Sequence, residues 1–208
     1  MTDLIGAAPS DWTATSLADI SVLIPGAHTP NDPGGSVPVL KPKNVVAGRV
    51  TESADGISAE EAALRPRYQV RSGDLLCVRT GSIGRVGLVA AGQQGWIFGT
   101  GLICIRPAQQ VDPQFLCFYF TLPAVTDWFT LQARQSTAIA SISAQVLGTL
   151  PITLPPLAAQ REIGRSLATL NDKIEAHQRI CQTTAELRDA LLPLLLTGQM
   201  SVPDSQIT

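Results

Sequence analysis

The chain has 208 residues, a net charge of −2, 45% hydrophobic residues and only 15% charged ones. That balance excludes a disordered or supercharged polypeptide, and the length allows one domain of ordinary size plus an appendage. A uniformly cationic nucleic-acid coat protein is excluded too, but the charge is uneven: residues 1–40 sum to −4, residues 41–134 to +3 and the rest to −1.

The middle excess is mostly arginine: Arg49, Arg65, Arg67, Arg71, Arg79, Arg85, Arg106 and Arg134. Arginine suits planar, bidentate contact with phosphates and guanine edges, and it is equally an ordinary surface residue. Cys77, Cys104 and Cys117 lie in apolar runs far apart with no C-x-x-C pair, so buried thiols are expected rather than disulfides or metal ligands. MTDLIGAAPSDW has neither the basic nor the apolar region of a secretory signal, and no apolar run nears the roughly 20 residues of a membrane span. The expectation is a soluble, cytoplasmic protein.

Residues 1–11 read as a loose lead-in. Trp12 to Ile24 reads as an early strand or edge segment anchored by Trp12, Leu17, Ile20, Val22 and Ile24. PGAHTPNDPGGSVP, residues 25–38, is too rich in Pro and Gly for a ladder or a helix and must be a loop. VPVLKPKNV then gives a short strand ending in Lys41, Lys43 and Asn44. Ser58 caps a short helix through Leu64, and Pro66 stops it.

The β-rich heart runs from Tyr68 to Pro107. Its short strands YQV, LLCVRT, RVGLVA, WIF and GLICIRP are separated by Gly-rich turns at the spacing of a small antiparallel barrel or curled sheet. Asp112-Pro113 is a helix cap followed by a first-turn proline, with Phe115, Leu116, Phe118, Tyr119 and Leu122 supplying an apolar face. Pro123 interrupts, and a second helix follows through Leu131. RQSTAIASISA, residues 134–144, reads as a polar loop, and Val146–Leu154 as a returning strand closed by Pro155-Pro156.

After those prolines a long helical pattern runs with no further Pro until Pro193. Ile163, Leu167, Leu170, Ile174, His177, Cys181, Thr184, Leu191 and Leu195 form a heptad seam, with Ile180, Leu187 and Leu194 beside it. From Leu157 to Leu192 such a helix is roughly 50 Å long at about 1.5 Å per residue, more than a small domain covers. It folds back on its own domain or meets a partner helix. Its length and its polar centre (His177, Cys181, Thr184) favour a partner, since a polar seam residue sets register more often than it adds stability.

No catalytic constellation shows. Gly81, Gly84 and Gly87 have G-x-x-G-x-x-G spacing between strands, not the dinucleotide fingerprint opening a helix, and read as turn and curvature glycines. With His28 in a loop and His177 in the long helix, no Ser-His-Asp set is suggested, and paired carboxylates in an apolar setting are missing.

Three stretches together resemble the specificity subunit of type I restriction-modification systems: DWTATSLADI near the start, VRSGDLLCVRTGSIGRVGLV in the middle, and LGTLPITLPPLAAQREIGRSLATLNDKIEAHQRI with LRDALLPLLLTGQMSV at the end. The last is the most specific. Ala158-Ala159-Gln160 departs from it, an acidic residue commonly preceding the Gln, which should alter a local contact and not the fold.

The resemblance implies an α+β fold: a small curled antiparallel β target-recognition domain with flanking helices over 1–154, a long coiled-coil-type spacer and dimerisation helix over 155–198, and a frayed tail over 199–208. It also implies reading of a half-site in double-stranded DNA. Family members usually carry two such domains and two antiparallel helices; this chain has one of each. It is a half-subunit that forms a homodimer through the seam (Ile163, Leu167, Leu170, Ile174, His177, Cys181, Thr184, Leu191) to read an interrupted palindrome, or it is one half of a longer protein. The implied partner is a modification methyltransferase subunit that holds S-adenosylmethionine, with a restriction/translocase subunit in nuclease-bearing systems. Pro155-Pro156 is flanked by Leu on both sides, not set in an Asn-Pro-Pro-aromatic motif. The chain is therefore expected to direct catalysis without performing it, and to carry no cofactor or metal.

Within the recognition domain three groups have the chemistry for DNA. Lys41, Lys43 and Asn44 follow a strand beside the long loop. Arg79, Thr80, Ser82 and Arg85 flank a Gly-rich turn. Arg134, Gln135, Ser136 and Thr137 lie in the polar loop, where Gln suits adenine and Arg suits guanine. For each group, solvated loop residues are the plain alternative. For the whole chain it is a β-domain adaptor that oligomerises through the helix and binds protein instead of DNA.

Overall fold

The computed structural model describes residues 9–30, 32, 34–134, 141–197, 199 and 200, with the side chain of Arg134 excepted. Its elements are β1 (Thr13–Ser16), α1 (Leu17–Ile20), β2 (Ser21–Pro25), β3 (Val37–Leu40), β4 (Val45–Val46), β5 (Gly48–Val50), β6 (Gly56–Ile57) and α2 (Ala59–Ala63). β7 (Leu75–Val78), β8 (Val86–Leu88), β9 (Ile97–Phe98), β10 (Leu102–Pro107), α3 (Pro113–Tyr119), α4 (Pro123–Arg134), α5 (Ala144–Gly148), β11 (Pro151–Leu154) and α6 (Leu157–Leu196) complete them.

The central sheet has six strands in the order β2-β10-β7-β8-β5-β4. Neighbouring side chains on a strand point to opposite faces, and here both faces are buried. Leu75, Cys77, Ile103 and Ile105 enter one core with α3, α4 and α5. Leu76, Val78, Leu102 and Cys104 enter the other with Leu40, Val70 and Phe98. That is why LLCV and LICI read as unbroken apolar runs.

The sheets are open and mixed, not a closed antiparallel barrel. β5 pairs with β8 in parallel, and β3 pairs in parallel with β9 inside a second sheet ordered β6-β3-β9. β1 and β11 form a separate antiparallel pair.

Several expected elements change. Trp12 to Ile24 is not one strand, because Ser16 and Asp19 cap the turn α1: Asp19 Oδ2 accepts from Ser16 Oγ at 2.6 Å and from Ser16 N at 3.2 Å. Val22, expected as an anchor, is exposed, while Leu17, Ile20 and Ile24 are buried. YQV is a 3₁₀ turn at Pro66–Tyr68 plus a single bridge from Gln69 to Ile97. Val146–Leu154 is split. Ser143 caps α5 by accepting from Val146 N at 3.1 Å, and only Pro151–Leu154 is strand.

The caps at Ser58 and Asp112 are present, their side chains accepting from Glu61 N and Phe115 N. Cys77, Cys104 and Cys117 are buried free thiols.

The first compact unit runs through Arg165 and so includes the first turns of α6. Gln160 and Gly164 are that helix's buried residues. Gln160 Oε1 accepts from Asp112 N at 2.8 Å, and Nε2 donates to Pro155 O at 2.8 Å and Gln110 O at 3.2 Å. The second unit, from Ser166, is the remainder of the 40-residue helix α6 and the described residues after it. Leu167, Leu170, Ile174, Ile180, Leu187, Leu194 and Leu195 are exposed along it. Among the described residues no helix is long and apolar enough to cross a membrane.

Candidate nucleic-acid interface

The chain leaves β3 into a 3₁₀ turn, Pro42–Asn44, with proline at its first position where no N–H is needed. Asn44 is buried and sets the turn. Its Oδ1 accepts from Lys41 N at 2.9 Å, and its Nδ2 donates to Glu52 O at 2.7 Å. Its amide is thus spent on backbone.

Lys41 and Lys43 converge on Asp55, Nζ to carboxylate oxygen at 3.0 and 2.7 Å. Hydrogen bonds from Lys43 and then Lys41 hold the Asp55 carboxyl below its ordinary range. One carboxylate under two ammonium groups leaves the turn with a net positive charge. Lys43 is the more exposed of the pair, at 62%.

The tip between β7 and β8 closes by Val78 N donating to Arg85 O at 2.8 Å and Gly84 N donating to Val78 O at 3.1 Å. Gly84 has φ +82°, and a Cβ there would lie 2.6 Å from the Phe129 ring, so only glycine lets the tip sit on α4. Arg79 N donates to Gly101 O, and Ile142 N donates to Arg79 O, both at 2.9 Å. Thr80 bridges to Ser141.

Arg85 Nη2 donates to Pro42 O at 2.6 Å and brings the two turns together. Neither Arg79 nor Arg85 meets a carboxylate among the described residues, and the buried Nε of each has no hydrogen-bond partner there. Ser82 is exposed at the tip.

The same edge carries two concavities. One of about 440 Å³ lies between the tip and α4, lined by Ser82, Ile83, Thr126, Phe129 and Thr130 among others. The other, about 340 Å³, is lined by His28, Thr29, Pro30, Lys41, Pro42 and Thr100 among others. His28, read from sequence only as a loop residue, and Thr100, which no motif marks, join this lining through the Pro/Gly-rich loop beside Lys41.

The structure therefore places Lys41, Lys43, Arg79, Thr80, Ser82 and Arg85 on adjoining turns. Of the third group, Arg134 ends α4, whereas Gln135, Ser136 and Thr137 lie outside the described residues. On the helix, Ile163 is half-buried against the domain's own core. His177, Cys181 and Thr184 are exposed, and Leu191 is half-buried. Among the described residues no group of three or more His, Cys, Asp or Glu could hold a metal ion.

A cationic edge built from short turns suits phosphate contact, with hydroxyl and guanidinium groups for base edges. Comparison with known proteins shows the family. Residues 9–183 match the family model described as the type I restriction modification DNA specificity domain. Over 203 residues the chain is 23% identical to a putative type I restriction enzyme specificity subunit of Methanocaldococcus jannaschii, covering 93% of this chain and 47% of that one.

Among solved structures, a chain from work on complex assembly and conformational transition of the type I R-M system aligns with a TM-score of 0.68 at 23% identity, over 89% of this chain and 45% of that one. The specificity subunit from Thermoanaerobacter tengcongensis gives 0.62 at 21% identity, over 84% and 41%. The specificity subunit from M. genitalium gives 0.59 at 15%, over 88% and 45%. These likenesses show the fold. The chain spans about half the length of the relatives it matches.

Proposed function

The chain belongs to the type I restriction modification DNA specificity domain family, and from that premise we propose that it reads one half-site of double-stranded DNA with the edge formed by Lys41, Lys43, Arg79, Thr80, Ser82 and Arg85. The observation that carries this is the junction of the two turns through Arg85 and Pro42, with both arginines free of carboxylates among the described residues. Carboxylate partners would have neutralised those guanidinium groups; here Arg85 gives one N–H to Pro42 O, and the charge of both arginines remains for phosphate or guanine.

The finer role is a half-subunit. Two copies pair through α6 and read an interrupted palindrome, each supplying one recognition domain. The complex acts in the cytoplasm. Methyl transfer from S-adenosylmethionine belongs to a separate methyltransferase subunit, joined in some systems by a restriction/translocase subunit. This chain selects the site and does no chemistry on it.

Duplex binding measured against salt tests the proposal. Counterion release makes log K fall linearly with log salt, and removing one phosphate contact lowers the slope by about 1. Lys43→Ala should lower the slope, and Ser82→Ala should weaken binding with the slope unchanged. Arg179→Ala, on the outer face of the long helix, should do neither. Binding indifferent to salt and to all three substitutions would leave the protein-binding adaptor as the better account.

A further inference from the structure

We infer that Asp55 is a positioning residue for DNA selection: it pins Lys41 and Lys43 in one geometry and removes one unit of indiscriminate positive charge from the edge. This rests on the proposed reading of DNA by that edge and names what sets its selectivity.

The carboxylate lies beneath the ammonium groups. The Asp55 side chain is 15% exposed, against 37% for Lys41 and 62% for Lys43, so an approaching duplex meets nitrogen before oxygen. Each oxygen takes one lysine, Lys41 Nζ on Oδ1 at 3.0 Å and Lys43 Nζ on Oδ2 at 2.7 Å. An ammonium has three N–H donors. With one spent on Asp55, two on each lysine are left for phosphate oxygens, so the lysines can bridge carboxylate and DNA without letting go of either.

The segment that carries Asp55 is tied to the same turn on either side of it. Asp55 O accepts from Val39 N at 2.8 Å. Asp55 N donates to Ser53 Oγ at 3.2 Å, and Ser53 Oγ donates to Val39 O at 2.6 Å. Asn44 Nδ2 donates to Glu52 O, and Thr51 N to Asn44 O, both at 2.7 Å. Directly after Asp55, Gly56 of β6 pairs with Pro38 of β3. The backbone is thus closed without the carboxylate, and ion pairs of exposed lysines add little to stability. What the carboxylate decides is where the two lysines stand.

That placement is fixed relative to the tip as well. Pro42, between the two lysines, gives its carbonyl to Arg85 Nη2 at 2.6 Å, so the lysine turn and the arginine tip keep one spacing. Spacing matters because phosphate contacts set the register in which other side chains meet base edges. A free lysine follows any phosphate it reaches and helps every sequence alike. A pinned lysine favours one register, with its ordering cost already met. The carboxylate also cancels one charge that would otherwise draw in any duplex.

The experiment measures binding of the full chain against salt on two duplexes, one enriched from a random pool by the native chain and one with that sequence scrambled. Asp55→Asn and Asp55→Ser, each shown by circular dichroism to be folded, should bind the scrambled duplex roughly five- to tenfold more tightly at about 0.1 M salt. Their slope of log K against log salt should be steeper by about 0.9, one added phosphate contact. Preference for the enriched duplex should fall roughly three- to tenfold, the ordering cost of one long side chain. Asp55→Glu, which keeps the charge, should keep the native slope. A merely structural role predicts weaker binding to both duplexes, and that result would overturn the inference. Unchanged slope and preference in both charge-free variants would overturn it too, with DNA reading left standing. A native chain that enriches no sequence, or binds without regard to salt, would overturn the DNA reading and the role of Asp55 together.

Discussion

Gln160 and Asp112 are locked at 2.8 Å, the glutamine carbonyl accepting the backbone N–H of the residue that caps α3. Gln160 is fully buried, and its amide also serves Pro155 O and Gln110 O. One side chain thus closes three backbone groups where the helix begins. Gly164, one turn on, has no room for a Cβ: it would lie 2.9 Å from Asp112 Oδ1 and 3.1 Å from Phe115 N.

Gln160→Ala should therefore destabilise the domain by about 3 kcal/mol, because buried groups left unpaired pay their full desolvation. A fall in Tm of roughly 6–12 °C in a thermal melt is the expected reading. Gln160→Glu should not restore stability, since a carboxylate accepts from Asp112 N but cannot donate to two carbonyls.

Gly164→Ala should cost about 1–3 kcal/mol through overpacking, although alanine is intrinsically the better helix former by about 1 kcal/mol. Chemical denaturation of the two chains checks the sign. A stabilised variant would show that α6 does not seat this tightly on α3.

Asp74, 2% exposed, grips Arg106 with two bonds, Arg106 Nε to Oδ1 at 2.9 Å and Nη2 to Oδ2 at 2.7 Å. The hydrogen bond to Asp74 raises the Arg106 pKa. Asp74 also accepts from Arg71 N at 2.8 Å. Asp74→Ala should cost about 3–5 kcal/mol, the penalty for a buried charge that loses its partner. Urea unfolding of the variant measures it.

The acid limb should depend on Asp55. Its folded pKa lies below the ordinary 3.8, so its pairing with Lys43 and Lys41 stabilises the fold above that value. The contribution is lost as pH falls from near 3.8 through the lower folded pKa, because the unfolded chain takes the proton first. Urea midpoints between about pH 5 and 2 should fall less steeply in Asp55→Asn than in the native chain.

The thiols give an alkaline counterpart. Burial pushes Cys77 up to about 12 and Cys117 to about 11, so the folded state keeps protons that the unfolded state loses, and stability falls as pH rises above the ordinary thiol value. A thiol-reactive dye should label Cys181 alone in the native protein, and all four thiols after unfolding. Rapid native labelling at a second thiol would contradict the double-sided burial of the central sheet.

Signals carried within a few residues were legible in the chain: the caps at Ser58 and Asp112, the Gly-rich tip at 81–84, and the long helix after Pro155-Pro156. The turn α1 was equally local, its Ser16-x-x-Asp19 pattern being a helix start, and was hidden by the β-branched residues around it. What was not legible joins distant segments. The parallel pairings of β3 with β9 and β5 with β8 leave no spacing mark, since parallel partners require long crossovers. Asn44 looked like a base reader because its two backbone partners are set by the fold. Gln160 stood out only as part of a family motif. Its task became visible once Asp112 and Gln110 were in place beside it.

The measurement that bears most directly on the central claim is selection of bound duplexes from a random pool by the full chain with the proposed methyltransferase subunit, run beside Arg79→Ala shown by circular dichroism to be folded. Two recognition domains on a two-fold axis should enrich an inverted repeat with an unselected gap, and the Arg79→Ala pool should lose preference at the same position in both half-sites. A native pool with no enriched sequence, or an Arg79→Ala pool identical to it, would contradict DNA reading by this edge.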